Sequence, residues 1–311
     1  MEIKKSLYFK RQTTLKEIGE SGQKKLQEAK VLIIGCGGLG SPIAIYLATS
    51  GIGEIHLVDF DKVSVSNLHR QVFFKIEDVA LSKVEVLAKE IEKRAPFTKV
   101  TYTNSAVDKD SILKLISNYD LVVDGTDNLT IKYLINDACV LSEKPLVYGS
   151  LYKFDGYVAA FNVPQPDGTF SCNLRDAFPK IARDIPNCEE AGTLNPIVGI
   201  IALLQANEVI KIISGTGKPI LNELLIYNAL SNSQFKLRLK RNTDLDFSEI
   251  FAEATYLDIN CEIQDSDLLI TARELKDKLK DQTLEVISVS NDMANEAPFK
   301  VHTRVPYTSF R

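Results

Sequence analysis

Residues 31–40, VLIIGCGGLG, constrain this chain more than any other stretch. Val31, Leu32, Ile33 and Ile34 suit a strand buried on both faces. Gly35, Gly37, Gly38 and Gly40 follow, and residues 41–49 then carry a helical pattern. A strand that turns through glycines into a helix N-terminus makes an anion site. The backbone comes close because no Cβ intervenes, and free N–H groups and the helix dipole face the anion. A second strand, 54–58, ends in Asp59. An acid at that point can accept hydrogen bonds from ribose hydroxyls. Together these features indicate a nucleotide without separating NAD from ATP. A tight βα turn with no ligand is the plain alternative.

The rest of the chain reads in order from this unit. Residues 1–30 are polar and helical, and Arg11 and Gln12 fall there. On position alone Arg11 is a solvated surface charge. After Asp59 the stretch DFDKVSVSNLHRQVFF carries Asp61, Asn67, His69, Arg70 and Gln71. No helical face accounts for these polar side chains as a group. Arg70 offers a planar cationic fork that suits phosphate oxygens, or a surface salt bridge. A helix over 81–94 has Lys83 in its first turn, where a cation opposes the dipole unless an anion lies nearby. The strand 121–123 runs into DGTDN. Carboxyl ends of parallel strands bind ligands in doubly wound folds, so Asp124 and Asp127 are candidates to hold Mg²⁺ beside phosphates. Thr126, Asp127 or Asn128 can instead cap the helix that follows over 128–141.

Further strands are expected at 146–150 and 156–162, then a long proline-rich loop over 164–196 containing Cys172 and Cys188. An apolar helix follows at 197–213, then paired antiparallel strands at 221–227 and 234–239. The expected fold is α/β: a doubly wound, mostly parallel sheet with antiparallel C-terminal strands, over residues 1–242. A linker is expected at 243–260. Residues 261–311 make a small partial α/β appendage, too short for a core of its own.

Composition narrows the function. Of 311 residues, 45% are apolar and 25% charged, and the net charge is −4. No basic block suggests nucleic acid or an anionic membrane surface. No apolar run approaches the roughly 18 residues of a membrane span. The N-terminus lacks the apolar core of a signal peptide, so a cytoplasmic location is expected. Five widely spaced cysteines without a C-x-x-C argue against a disulfide framework and a standard structural zinc site.

Taken together, GCGGLG at 35–40, DFDKVSVSNLHRQ at 59–71, Lys83, TDN at 126–128 and EAGTLNPIVG at 190–199 resemble the ThiF/MoeB/HesA adenylyltransferases, the bacterial relatives of ubiquitin-activating enzymes. The resemblance covers about residues 8–242. It implies a Rossmann-like fold that uses ATP to activate the C-terminal glycine of a small ubiquitin-like sulfur carrier ending in Gly-Gly. By the same resemblance, Gly35, Gly37, Gly38 and Gly40 cradle the nucleotide phosphates and Asp59 holds the ribose. Asp61 and Asn128 join the nucleotide-binding set. Asn67, Arg70, Gln71 and Lys83 meet the triphosphate, and Asp127 binds Mg²⁺. Arg11 matches an arginine that reaches the partner subunit's site, which implies a homodimer and reverses the plain reading above. Cys188 matches a cysteine that some members use covalently. Its acidic neighbours Glu189 and Glu190 would raise the thiol's pKa.

Two departures stand out. The family often carries two C-x-x-C pairs on zinc. Here Thr169 stands where the first cysteine of one pair belongs, with Cys172 in the second place, and the other pair is missing after Asn242, so no zinc is expected. The C-terminal stretch, ITARELKDKL and RVPYTSF, resembles the opening half of a rhodanese domain without its catalytic cysteine. Two rivals remain at this level. An NAD-dependent oxidoreductase explains the glycine loop and Asp59 but leaves Arg70, Lys83 and Asp127 unused. A non-catalytic nucleotide-binding module predicts damage to the ATP residues, and the sequence has none.

Overall fold

The computed structural model describes residues 3–180, 192–256, 278–280, 287–289 and 303–305. Two compact units divide the chain, Met1–Leu257 and Asp258–Arg311. In the first, α1 (Lys5–Tyr8), α2 (Lys10–Thr13) and α3 (Gly19–Glu28) lead into β1 (Lys30–Ile34). Then follow α4 (Gly40–Thr49), β2 (Glu54–Val58), α5 (Lys83–Arg94), β3 (Lys99–Thr103), α6 (Ile112–Ile116), β4 (Leu121–Asp124) and α7 (Leu129–Leu141). The remainder comprises β5 (Leu146–Tyr152), β6 (Asp155–Phe161), α8 (Leu174–Ala177), α9 (Asn195–Ser214), β7 (Glu223–Asn228), β8 (Ser233–Arg238) and α10 (Phe247–Glu253).

The eight strands form one sheet in the order β3-β2-β1-β4-β5-β6-β7-β8. Pairing is parallel from β3 through β5 and antiparallel from β5 through β8. The chain leaves β1 toward one edge and returns to β4 on the other side, so the strand order reverses between β1 and β4. That reversal opens a crevice at the carboxyl ends of these two strands. One face buries Val31, Ile33, Ile55 and Leu57 under α4, α5 and α9; the other buries Leu32, Ile34 and Val122 under α6, α7 and α10. Alternate residues of β1 thus serve both layers, as its unbroken apolar run requires.

Three expectations need correction. Residues 243–256 do not behave as a linker, because Asp246 caps α10, and Phe251 and Tyr256 are buried in the same core as α7. The stretch 164–180 is not plain loop either: Pro164 bridges Phe170, and Asn173 caps α8. Finally, α9 is long and apolar enough to cross a membrane by length and composition, contrary to the sequence reading. Here half of that window is buried, Gln205 Nε2 donates to the Asp124 carbonyl, and Glu208 accepts the Ile220 N–H, as in a core helix.

In the second unit, β9 (Ile287–Val289) and β10 (Thr303–Val305) pair in parallel. The strand expected at 284–289 overlaps β9. The helix expected at 271–279 lies almost wholly outside the described residues.

Candidate active site

The floor of the crevice is made by two loops in contact. Gly35 has φ +87°, a left-handed conformation that favours glycine. A Cβ on Gly35 would lie 2.6 Å from the carbonyl carbon of Gly125, and one on Gly40 would run into the Gly35 carbonyl oxygen. The Gly125 N–H donates to the Ile34 carbonyl at 2.8 Å. The turn after β1 and the turn after β4 are therefore locked together, and only glycine permits it. Above them, the N–H groups of Gly37, Gly38 and Leu39 make no hydrogen bond among the described residues. Three unpaired amides at the start of α4 form a ready anion cradle.

Asp59 holds this loop from the side. Its Oδ2 accepts the Cys36 N–H at 2.6 Å and its Oδ1 accepts the Asp61 N–H at 2.8 Å. Burial pushes the carboxyl upward, opposed by the Lys83 ammonium and these two N–H donors. Each oxygen keeps a lone pair for a ligand hydroxyl. Burial and the Asp59 charge together push the Cys36 thiol well up, so it is inert rather than nucleophilic.

The 59–83 segment forms the wall. Lys83 is buried at the start of α5 and pairs with Asp61 Oδ2 at 2.7 Å. Arg70 donates to Asn67 Oδ1 at 3.0 Å and to the Ser66 carbonyl at 3.3 Å. Gln71 is only 4% exposed, and its Oε1 is buried without a hydrogen-bond partner. A Cβ on Gly37 would lie 3.1 Å from Gln71 Nε2, so this amide sits directly under the glycine loop. The cluster that lacked a helical explanation is thus drawn around the cradle. An orphaned buried amide oxygen and open backbone N–H groups fit a polar ligand such as a nucleotide.

The β4 turn separates the two aspartates. Asp124 is fully buried and pairs with Lys132 at 2.9 Å, while its other oxygen binds Thr126. It is not open to a metal, which corrects its reading as a candidate Mg²⁺ ligand. Asp127 is exposed, and its carboxylate has no partner among the described residues. Asn128 caps α7, accepting the Ile131 N–H at 2.9 Å. Its side chain therefore has a structural task in addition to any contact with nucleotide. Sequence reasoning passed over Lys132 and Gln205. For Lys132 the available signal was a lysine, with Asn136 and Asp137, inside the mostly apolar helix LTIKYLINDACVL.

Other expected residues lie apart. Arg11 is exposed on α2. Its neighbour Gln12 donates to the Ser50 carbonyl at the far end of α4, and Tyr8 donates to Arg94 at the far end of α5. The ten residues of α4 span about 15 Å, so the structure does not bring Arg11 to its own chain's glycine loop. Cys188 lies outside the described residues. Cys172 is buried, with its thiol pushed up to about 11 by burial, and Thr169 is exposed and bonds Asp167. Beside them Arg241 donates to the Phe170 carbonyl and stacks over its ring. This donor set does not fit a structural zinc.

Comparison with known proteins agrees with this geometry. Residues 9–247 match the ThiF family. The chain is 40% identical to a sulfur carrier protein adenylyltransferase of Thermus thermophilus over 236 residues, 75% of this chain and 87% of that one. It is 38% identical to a probable adenylyltransferase/sulfurtransferase MoeZ of Mycobacterium tuberculosis over 279 residues, 87% of this chain and 70% of the other. Among solved structures, Escherichia coli MccB with ATP superposes with a TM-score of 0.64 at 28% identity, covering 73% of this chain and 68% of that one. With an open anion cradle at the sheet reversal and a family match over residues 9–247, the chain belongs to the ThiF family and is an adenylyltransferase.

Proposed function

We propose that this chain adenylates the C-terminal glycine of a small ubiquitin-like sulfur carrier with ATP and Mg²⁺, for thiamine or molybdopterin synthesis. The observation that carries the reading is the cradle of unpaired Gly37, Gly38 and Leu39 amides, with Gln71 against Gly37 and Arg70 against Gly38, and with Lys83 and Asp127 on the adjoining segments. The carrier's carboxylate attacks the α-phosphorus and pyrophosphate leaves. Both reactants are anions, and a carboxylate is already ionised at neutral pH, so the site needs cations and positioning rather than a general base. The loop amides hold phosphate oxygens. Arg70 and Lys83 neutralise charge as the bond to pyrophosphate breaks; Lys83 exchanges its Asp61 partner for phosphate. Asp59 orients the ribose. One exposed carboxylate, Asp127, suits Mg²⁺, which is held by one or two carboxylates together with substrate phosphates.

The same reading makes the enzyme a homodimer with Arg11 acting in trans. Two features support it. Arg11 stands at the wrong end of α4 to serve its own site, and Phe60, Val65, Val72 and Ile76 leave large apolar side chains exposed on the site's wall. Covalent chemistry at Cys188 is not required, since adenylation precedes any thiol step.

The test is carrier-dependent ATP–pyrophosphate exchange. Asp127→Asn keeps shape but removes the charge, and is expected to lower exchange at least about 100-fold with the melting temperature preserved. Mixing it with Arg11→Ala should then restore part of the activity through heterodimers. Wild-type exchange in Asp127→Asn, or no restoration after confirmed subunit exchange, would sink the respective assignment.

A further inference from the structure

Behind the candidate site lies a buried polar network. Asp124 is fully buried, and both its side-chain oxygens are occupied. Oδ1 accepts the Thr126 N–H at 2.9 Å and the Thr126 hydroxyl at 2.7 Å; Oδ2 accepts from Lys132 Nζ at 2.9 Å. Lys132 is 3% exposed, donates to the Gly149 carbonyl of β5 at 2.7 Å, and lies 5.1 Å from the Tyr148 ring centroid. From α9, Gln205 donates to the Asp124 carbonyl at 2.8 Å. Its amide fills the space a side chain at Gly149 would take.

Folding alone does not ask for this. A methionine at position 132 together with an asparagine at 124 would fill a similar volume without the cost of desolvating two charges. What an apolar side chain would not do is tie three elements at once. The ammonium joins α7 to β5 and to the last residue of β4, and Asp124 in turn fixes the Thr126 turn. Asp127 comes next, and its own carboxylate has no partner among the described residues. Its location is set by the locked Gly35 and Gly125 turns in front, by the Asn128 cap after it, and from behind by the buried pair.

We infer that Lys132, acting through Asp124, is a positioning residue for Asp127. The inference rests on the reading in which Asp127 serves the adenylation step. Orienting one exposed carboxylate to within a fraction of an ångström is the kind of task a buried, hydrogen-bonded ion pair performs for a catalytic group.

The experiment uses the full chain with its carrier and three variants. Lys132→Met removes the cation, Asp124→Asn/Lys132→Met removes both charges so that none is left orphaned, and Lys132→Arg restores a cation able to reach both acceptors. In the first two, carrier-dependent exchange is expected to lose at least tenfold in kcat with the KM for ATP within threefold of wild type, and Lys132→Arg to recover most of that loss. Independently of activity, amide hydrogen exchange of residues 125–129 without nucleotide should accelerate at least tenfold in the double variant, with residues 37–39 unchanged. If the double variant melts lower yet keeps its kcat and its 125–129 exchange rates, Lys132 is structural only and the inference is wrong. Should Asp127→Asn itself leave exchange intact, the adenylation role of Asp127 fails, while the hydrogen-exchange result still decides whether Lys132 holds the turn.

Discussion

Asp127 stands just before α7 and Asp137 within it, and the two are treated in opposite ways. Asp127, just before α7, is exposed and its carboxylate is unpaired among the described residues. Asp137, two-thirds of the way along, is fully buried and saturated. It accepts from Arg175 Nε and Nη2 at 2.8 and 2.6 Å, from the Tyr256 hydroxyl at 2.6 Å and from Asn136 at 3.0 Å. Arg175 also lies 5.0 Å from the Tyr133 ring centroid, and Tyr133, its phenol pushed up to about 12 by burial, donates to the Phe178 and Lys180 carbonyls. One carboxylate thus knits α7, α8 and the end of the first unit together; the other is left available. The same contrast separates the two halves of the sheet. Around the parallel half, amides and a carboxylate stand open at the strand ends. Around the antiparallel half, Arg241, Asn222 and Asp176 staple the chain with hydrogen bonds to Phe170, Cys172 and Asn242. Saturated polar groups fix structure, and unsaturated ones at a strand reversal are where chemistry is possible.

The strongest way to break this comparison is Asp137→Ala. It strands the guanidinium of Arg175 and the Tyr256 hydroxyl, and should cost about 3–5 kcal/mol of stability, as for a buried pair that loses one member. Urea denaturation reads it directly, and a loss under 1 kcal/mol would mean that the cluster is decorative. Next comes Arg70→Ala on the open side. Exchange activity should fall about 10²–10³-fold, the usual consequence of removing one electrostatic group from a transition state. Its urea midpoint should hardly move. A variant that unfolds instead of losing rate would place Arg70 with the structural set.

The smallest effect sharpens the comparison at a buried carboxylate with exposed cationic partners. Glu90 on α5 is ringed by Arg94, Lys93 and Lys75. The Arg94 hydrogen bond, ahead of its other partners, holds its carboxyl down to about 2 from an ordinary 4.5. Because the folded value is depressed, the stabilisation is fully present above pH 4.5 and is lost as pH falls toward about 2. Its cationic partners are well exposed, so Glu90→Gln should cost only about 1 kcal/mol at neutral pH. Denaturation curves of variant and wild type should converge over that acid window. A constant difference across it would assign the effect to packing rather than charge.

Much of the candidate site could be read from sequence because its parts are local. The glycine loop, Asp59 and the 61–71 cluster sit within forty residues, and short-range steric and capping rules govern each of them. Lys83 could be questioned from its place in a helix first turn, and the structure supplies the anion, Asp61. Asp124 could not be resolved in the same way. In DGTDN both aspartates look alike, and only the approach of Lys132 from one turn into α7, with Gln205 from 81 residues away, separates a buried anchor from an open carboxylate. Residues 243–256 were misread for a related reason. Their helix, FSEIFAE, carries Phe247, Ile250 and Phe251 at helical spacing but is only seven residues long, and its place is set by Tyr256 reaching Asp137, 119 residues earlier.

The sequence by itself determined the alternation of strands and helices up to β5, the doubly wound class and the presence of an anion cradle. Those follow from apolar periodicity and from glycine at positions where any side chain would strike the Gly125 turn or the Gly35 carbonyl. Tertiary structure alone decided which polar groups are spent on the fold and which remain for a ligand. It also decided that Arg11 stands a helix length from the loop of its own chain. The reason is physical: a buried charge is tolerable only with partners, and those partners come from whatever the packed sheet and its helices bring within 3 Å, which no local pattern of residues records.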